Sequence, residues 1–482
     1  MLTGAAALVL SGCAGVLRSH DSEMSVTLQS AMSGQVDKAL EILESNNKFD
    51  KNFLYFLEKG ELLRLKGAYA ESRDAWLSAD EFVRQWEEEA KHSPEKLLGN
   101  IGAVLINDKT RRYDGADYEK VALAARLALD HAVLGDWDNA RIEVRKMHER
   151  EAVIAEFRAR EVEKLKEQAE AKNIRTQVED LKGYPVELLN SREVTGLRNS
   201  YQSAFGHYLA GFVYEVSGEP GLAAAGYRQA IELRPDVPML KQALAGLDRR
   251  VRRPNPKFTD TLIVAESGKV PALKSVTIPI PVPGPHGFQF VPTSFPTIDS
   301  IQSGAVPTAL RLENGKSVDL HGVTSFDSMA RRELRDNLPG IIVRGTLRAI
   351  AKGAMQQAVA RNDNTGFAGL LMMAANFVTE SADERMWRSL PGQVALGRAL
   401  LPPGKHTAEL MTSHGPRRVE FEVKGPYSIV VLRTSELGNV FVAQAVTPEI
   451  AQAKFVEPKP EPARGKRVKP AAKPVTAAPS KS

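Results

Sequence analysis

Cysteine is almost missing from this 482-residue chain: Cys13 stands alone, so no intramolecular disulfide can form. Net charge is equally scarce in the body of the protein. The formal charge is +5, and the stretch from Glu457 to Ser482 holds seven Lys/Arg and two Glu, a balance of 7 − 2 = +5, which leaves the remainder neutral. A neutral body lacks the broad basic footprint that phosphate backbones require, which argues against nucleic acid as a partner. Catalytic signatures are missing too. There is no His-Glu-x-x-His, no cysteine pair, no Gly-x-Ser-x-Gly and no glycine-rich loop ending in Gly-Lys-Ser/Thr. A Ser-x-x-Lys at Ser93 to Lys96 has none of its usual partner motifs, and the nine histidines are scattered along the chain without ligand-like clustering. The expectation is a protein without catalytic, cofactor-binding or metal residues.

What remains is ordinary globular composition, 43% hydrophobic and 26% charged, in a chain long enough for two or three domains. The apolar stretch from Leu2 to Leu10 closes on Leu10-Ser11-Gly12-Cys13. It is too short to cross a bilayer as a helix and reads as a signal h-region over residues 1–13. Small residues before a lone cysteine resemble the bacterial lipobox, which makes Cys13 the expected lipid attachment site; the competing reading is an incidental cysteine. Met1-Leu2-Thr3-Gly4 carries no basic residue, so a translation start further upstream is expected. Ala14 after the cysteine points to the outer membrane. No other segment looks transmembrane.

From residue 24 to 250 apolar residues recur at helical spacing, with glycine turns between them. Aligned at the tetratricopeptide length, three segments correspond. In Ala204 to Asp236, Gly211 and Tyr214 lie on a first helix, Gly218 at a turn, and Ala223, Tyr227 and Ala230 on a second before Pro235. The segment through Phe56, Gly60, Gly67, Ser72, Trp76 and Ala79 matches nearly as well, and a degenerate one runs through Ala124, Ala128, Gly135, Ala140 and Met147. Gly34 with Ala39 and Leu43 marks a half-unit. Small residues let paired helices approach while aromatics fill the gap above. The prediction is an irregular tetratricopeptide-like α-helical solenoid interrupted by a charged helical arm over 139–182, with Tyr214 and Tyr227 as a candidate binding surface.

After Arg253-Pro254-Asn255-Pro256 the pattern turns to β, giving an overall α+β class with a β-rich domain over 257–448. Strands are expected at Thr259 to Ala265, at Val276 to Pro285 as an exposed edge or crossing strand, and as a hairpin around Asn314-Gly315. Further strands are expected at His406 to Met411, Arg418 to Val423, Tyr427 to Thr434 and Asn439 to Val446. An inserted helical hairpin over about 331–379 joins Arg331 to Ala360 with Thr365 to Thr379, and Leu338-Pro339-Gly340 reads as a helix start. The cluster Glu380, Asp383, Glu384, Arg385, Trp387 and Arg388 reads as a salt-bridged corner where helix meets sheet, or as a pocket. Residues 457–482, rich in Pro, Ala and Lys, read as a disordered basic tail suited to weak contact with anionic lipid or cell-wall polymer.

The lipobox, Tyr113-Asp114-Gly115 with Tyr118-Glu119, the Gly135-Asp136-Trp137 turn, Leu338-Pro339-Gly340 and Ala382-Asp383-Glu384-Arg385-Met386-Trp387 together resemble an uncharacterised family of proteobacterial tetratricopeptide outer-membrane lipoproteins. The resemblance covers most of the chain except the tail and supplies no catalytic residues; it implies association with cell-envelope lipoproteins. The expected function is a non-enzymatic periplasmic scaffold that binds an envelope protein or peptide on its repeats and meets the membrane through its lipid. The alternative is an envelope enzyme or glycan-binding protein with its site near Asp383, Glu384 and Trp387.

Overall fold

The computed structural model describes residues 20–99, 112–172, 174, 176, 181, 183–252, 255, 257–284, 287–300, 304–362 and 381–443. Four helical pairs form where glycine turns anticipated them: α1 His20–Met32 with α2 Val36–Asn46, α3 Phe53–Lys66 with α4 Tyr69–His92, α6 Asp117–Val133 with α7 Trp137–Ala171, and α9 Ala204–Val216 with α10 Pro220–Leu233. A short α5, Pro94–Gly99, follows α4, a one-turn α8, Arg192–Thr195, precedes α9, and α11, Pro238–Arg252, packs on α10. The turns at Gly34, Gly67, Gly135 and Gly218 all hold φ between +73° and +92°, a left-handed conformation that glycine adopts without a Cβ penalty. Helix starts are fixed by side chains. Asn52 accepts from the Tyr55 N–H, Asp136 from Asn139 and Ser203 from Gly206. Pairs contact in chain order, α2 on α3, α4 on α6 and α7 on α9.

Glycine also sets how closely helices approach. A Cβ on Gly226 would lie 2.7 Å from the Gly211 backbone nitrogen and 2.9 Å from the His207 carbonyl oxygen. The obstacle is backbone, so Gly226→Ala must push α9 from α10. It is expected to cost about 1–2 kcal/mol net, overpacking outweighing the gain in helix propensity. Gly221→Ala on the same helix meets nothing within 4 Å and should be neutral or stabilising by a few tenths. Urea unfolding of the two variants checks the contrast.

The β part contains two stacked sheets and a separate hairpin. The first has the order β11-β10-β1-β7-β6, with β1 Thr259–Ser267, β6 His321–Ser325, β7 Gln393–Leu401, β10 Tyr427–Thr434 and β11 Val440–Ala443. β1 pairs parallel with β10 (Leu262 opposite Ile429) and antiparallel with β7 (Ile263 opposite Gly397). All nine residues of β1 are buried, and its central Leu262-Ile263-Val264-Ala265 run suits a strand covered on both faces. Ile263, Ala265, Val430 and Leu432 face the second sheet, order β5-β4-β8-β9, and meet its Leu310, Leu410, Val419 and Phe421. In that sheet β4 Ala309–Leu312 turns through Asn314-Gly315 into β5 Ser317–Asp319, and β8 Gly404–Thr412 pairs with β9 Gly415–Val423. Leu262, Val264, Ile429 and Val431 face the other way, into a core shared with Trp76, Leu123 and Phe212 of the helices. The core therefore crosses the change of pattern near residues 250–257, and helices, first sheet and second sheet form three layers.

One helix, α12 Phe326–Asn362, runs through Pro339, where the sequence had suggested a start at Leu338-Pro339-Gly340. An interior proline forfeits a backbone hydrogen bond at about 3 kcal/mol, and local pattern alone favours a break. Burial of Leu338, Ile342 and Val343 offsets it. Gly340 permits a close crossing, since a Cβ there would stand 2.9 Å from Leu165 of α7. The helical arm is α7, which ends at Ala171 and packs against α6, α9 and α12. β2 Leu273–Gly284 and β3 Gly287–Ile298 form a long hairpin along α12, so the proline-rich run has a partner strand. The second inserted helix (365–379), the signal segment with Cys13 and the tail at 457–482 lie outside the described residues.

Candidate functional site

A cleft of about 1070 Å³ opens between the start of α6, the second half of α7 and α12. Its frame is built by Glu119. This carboxylate accepts from the N–H of Ala116, closing the first turn of α6, from the Tyr113 hydroxyl at 2.6 Å and from the N–H of Trp387 at 2.6 Å. Burial pushes its pKa up, against the pull of those three donors. Gly115, at φ +80°, takes a turn in which a Cβ would stand 2.5 Å from the Phe53 ring. The Arg385 guanidinium sits 5.3 Å above the Tyr113 ring and pairs with Asp383 at 2.8 Å. Segments 113–119 and 382–387 are thus locked together on one wall, and Pro339 and Gly340 stand in the same cleft.

The floor is ionic. Arg158 of α7 donates to Asp117, to Glu333 at 2.7 Å and to Glu161 at 2.6 Å, while Lys120 reaches Asp117 at 3.2 Å and the Gly115 carbonyl at 2.7 Å. Glu333 also accepts from the Ser200 hydroxyl and from Asn337. Burial works against ionisation of Asp117, but Arg158 and Lys120 hold its carboxyl below the usual range; Glu333 is pushed up by burial and by the neighbouring Asp117 charge. The Lys120 ammonium stacks 4.1 Å from the Trp86 ring. The walls are apolar, with Trp86, Phe157, Leu165, Leu334, Ile341 and Met386. Apolar walls with a few fixed polar groups suit a ligand that buries side chains and aligns its own polar atoms.

The candidate surface at Tyr214 and Tyr227 is corrected: Tyr227 is 0% exposed and Tyr214 6%. The Tyr227 ring fills the space above Gly211, and its hydroxyl donates to Glu215 at 2.7 Å and accepts from Arg398 at 3.0 Å. The Tyr227 ring packs between helices and first sheet, where a free repeat surface was expected, and Tyr214 is buried in the apolar core. The acidic cluster divides. Asp383 and Arg385 line the cleft, whereas Trp387 is buried against Trp76 and Arg388 reaches inward to Asp21 and the Val270 carbonyl; Glu380 lies outside the described residues.

Asp117, Lys120, Arg158 and Glu333 were missed by sequence reasoning. Their signal was that α6 is buried on every side, so each of its charges needs a partner, and this follows only once the sheet beneath it is known. Among the described residues no helix is long and apolar enough to cross a membrane, and no group of three or more His, Cys, Asp or Glu is arranged to hold a metal ion. The chain matches no protein-family model and no curated protein at a significant level.

Proposed function

We propose that this protein is a lipid-anchored scaffold or adaptor of the bacterial envelope, held through Cys13 at the periplasmic face of the outer membrane as a member of the tetratricopeptide lipoprotein group it resembles. Its stacked helical pairs act as an irregular tetratricopeptide-like solenoid, and a segment of a partner envelope protein occupies the cleft between α6, α7 and α12. One observation carries this reading: residues 113–118, Pro339 and Gly340, and Asp383, Arg385 and Met386, far apart in sequence, line a single amphipathic cleft. Its apolar walls suit the side chains of a peptide, and its ion-paired floor suits backbone polar groups. In the second reading, an envelope enzyme or glycan-binding protein, Asp117 and Glu333 are the candidates, as carboxyls whose proton affinities are driven apart beside one Arg158.

A photocrosslinker placed in cells at the exposed, cleft-lining Val162 tests the assignment, with Leu222 on α10 as a remote control. The expected result is a discrete envelope protein captured at Val162 and not at Leu222, and lost with Ile341→Asp when circular dichroism shows the fold intact. Equal capture at both positions would sink the cleft reading, and recovery of glycan alone would favour the second. Cys13→Ala should abolish fatty-acid labelling and release the protein from the outer membrane; persistent labelling would remove the anchor.

A further inference from the structure

Two of the histidines scattered along the sequence meet in the fold. His148 of α7 and His207 of α9 stand with Nε2 and Nδ1 3.2 Å apart and their rings within 13° of parallel. The other nitrogen of His207, Nε2, lies 3.4 Å from Oε1 of Glu151 on α7, and neither atom has another hydrogen-bond partner. His207 and Glu151 are buried, while His148 is half-buried. Among the described residues no Lys or Arg pairs with Glu151. The ionisable groups that face the cluster from its neighbours are Tyr201 and Arg198, both ahead of α9, and Arg198 is itself drawn toward Glu232 of α10 at 3.7 Å.

From Glu151 the contacts run on to the cleft. Its Oε2 accepts from the Gln202 side chain at 3.1 Å, and Gln202 Oε1 accepts from the Asn199 amide at 2.7 Å. Asn199 Oδ1 accepts from the backbone N–H groups of Tyr201 and Gln202 at 3.2 and 2.8 Å. Those bonds fold the loop whose Ser200 hydroxyl donates to Glu333 on the cleft floor. Asn199, Ser200 and Tyr201 all line the cleft.

A backbone N–H can only donate, and this fixes the direction of each contact in turn. Because Asn199 Oδ1 accepts, its amide donates to Gln202, and the Gln202 amide donates to Glu151 Oε2. A neutral Glu151 therefore carries its proton on Oε1, toward His207 Nε2, and the His207 proton lies on Nδ1, toward His148 Nε2. Burial favours this neutral form. It pushes the Glu151 carboxyl up to about 8, and burial together with the His148 and Arg198 charges pushes His207 down to about 3. The carboxyl proton can move to the rings without loss of a contact, since His207 then donates from Nε2 to ionised Glu151 and accepts at Nδ1 from doubly protonated His148. A second proton has no contact left to occupy. It can be held inside only if the first lies on Glu151 Oε2, against the Gln202 N–H.

We propose that this chain is an acid-sensitive regulator of the cleft: a second proton entering at His148 displaces the first onto Glu151 Oε2, the Gln202 amide turns away from Asn199, and the loop presenting Ser200 and Tyr201 to the cleft loosens. As a control on partner binding it rests on the cleft being the binding site; as a pH-dependent loop it does not. Burial holds His148 below its ordinary value of 6.5, so the intact chain is favoured above that pH and loses the advantage as pH falls through it. Glu151 keeps its proton below about 8, so the charge gained between pH 7.5 and 5.5 belongs to the histidines.

Hydrogen exchange of the full chain carrying Cys13→Ala, read by mass spectrometry at pH 7.5 and 5.5 and corrected for the intrinsic pH dependence of exchange, tests this. The expected result is a fall of about tenfold in protection at Tyr201 and Gln202, the most that one proton with an ordinary pKa near 6.5 allows over this interval, with the buried Leu209 and Phe212 of α9 unchanged. His148→Gln, at a half-buried position, should keep the protection at pH 5.5, and Gln202→Leu should lose it at both pH values. Equal protection of the parent at the two pH values overturns the proposal, since His148 would then turn out to solvent alone; an equal fall in His148→Gln overturns it as well. Crosslinking at Val162 in cells held at the same two pH values reads the control on binding, and capture should fall about as far as protection does. Capture that persists while the loop loosens overturns the regulation. No capture at either pH, with the loosening still seen, would sink the reading of the cleft and leave the pH-dependent loop standing.

Discussion

Arg126→Leu is expected to destabilise the protein by about 3–5 kcal/mol, the cost of leaving buried charge without its partner. Arg126 on α6 is fully buried and donates to both oxygens of Glu61 on α3 at 2.7 Å and to Glu266 on β1. Arg64 pairs with Asp130 at 2.8 Å and approaches Glu266 at 3.6 Å, and Arg433 of β10 stands 3.9 Å from Glu266. Three arginines and three carboxylates neutralise one another where helical layer and first sheet meet, with the Trp76 ring beside Arg64 and Arg126. Removing one cation leaves a net buried negative charge. Removing Glu61 as well should restore most of the loss, because an apolar pair of similar volume can replace a buried ion pair. Urea unfolding of the single and double variants measures this, and a single-variant loss under about 1 kcal/mol would show that the cluster is not energetically coupled.

The same cluster sets a pH dependence. Burial alone would push the Glu266 carboxyl up, but Arg126, Arg64 and Arg433 hold it down at about 2. A folded-state pKa below the unfolded one contributes stability that is present above the unfolded value, near 4.5, and is lost as pH falls toward 2. Glu266→Gln should therefore be destabilised at neutral pH and show a flatter acid limb than the parent in thermal unfolding between pH 5 and 2.

The helical half was readable because its signals are local. A glycine at each turn, a capping side chain and a small residue opposite a large one are each decided within a few positions, and the four pairs form there. The strands at β1, β10 and the Asn314-Gly315 hairpin were readable for the same reason. β7 was not. Its Gln393-Val-Ala-Leu-Gly-Arg-Ala-Leu-Leu401 has one β-branched residue and a helical composition, and it is a strand because β1 and β6 supply partners on both edges. Pro339 misled in the same way, since a tertiary crossing at Gly340 outweighs the local break. The cleft was legible only in fragments. The bond from Trp387 N–H to Glu119 spans 268 residues, and nothing in the spacing of segments 113–119 and 382–387 encodes it.

Trp387→Ala is expected to cost about 3–5 kcal/mol, because the indole is buried in the core shared by the helices and the first sheet. The indole is 0% exposed, meets Trp76 edge to face at 6.0 Å and donates from Nε1 to Ser389 at 3.2 Å. The N–H groups of the next two residues are accepted by Glu58 of α3, at 2.7 Å for Arg388 and 3.0 Å for Ser389. Truncating the ring leaves a cavity between α3, α4 and the segment that leads into β7, which the flanking hydrogen bonds keep from collapsing. Because one core joins helices and first sheet, near- and far-ultraviolet signals should move together to a lower urea midpoint. Separate midpoints, with only one shifted, would mean that the helical and β layers unfold independently. Met386, Arg385 and Asp383 line the cleft immediately before Trp387, so partner capture at Val162 should also fall under conditions where the variant is still folded. A variant that loses stability and keeps full capture would separate the packing role of this segment from its place in the cleft wall.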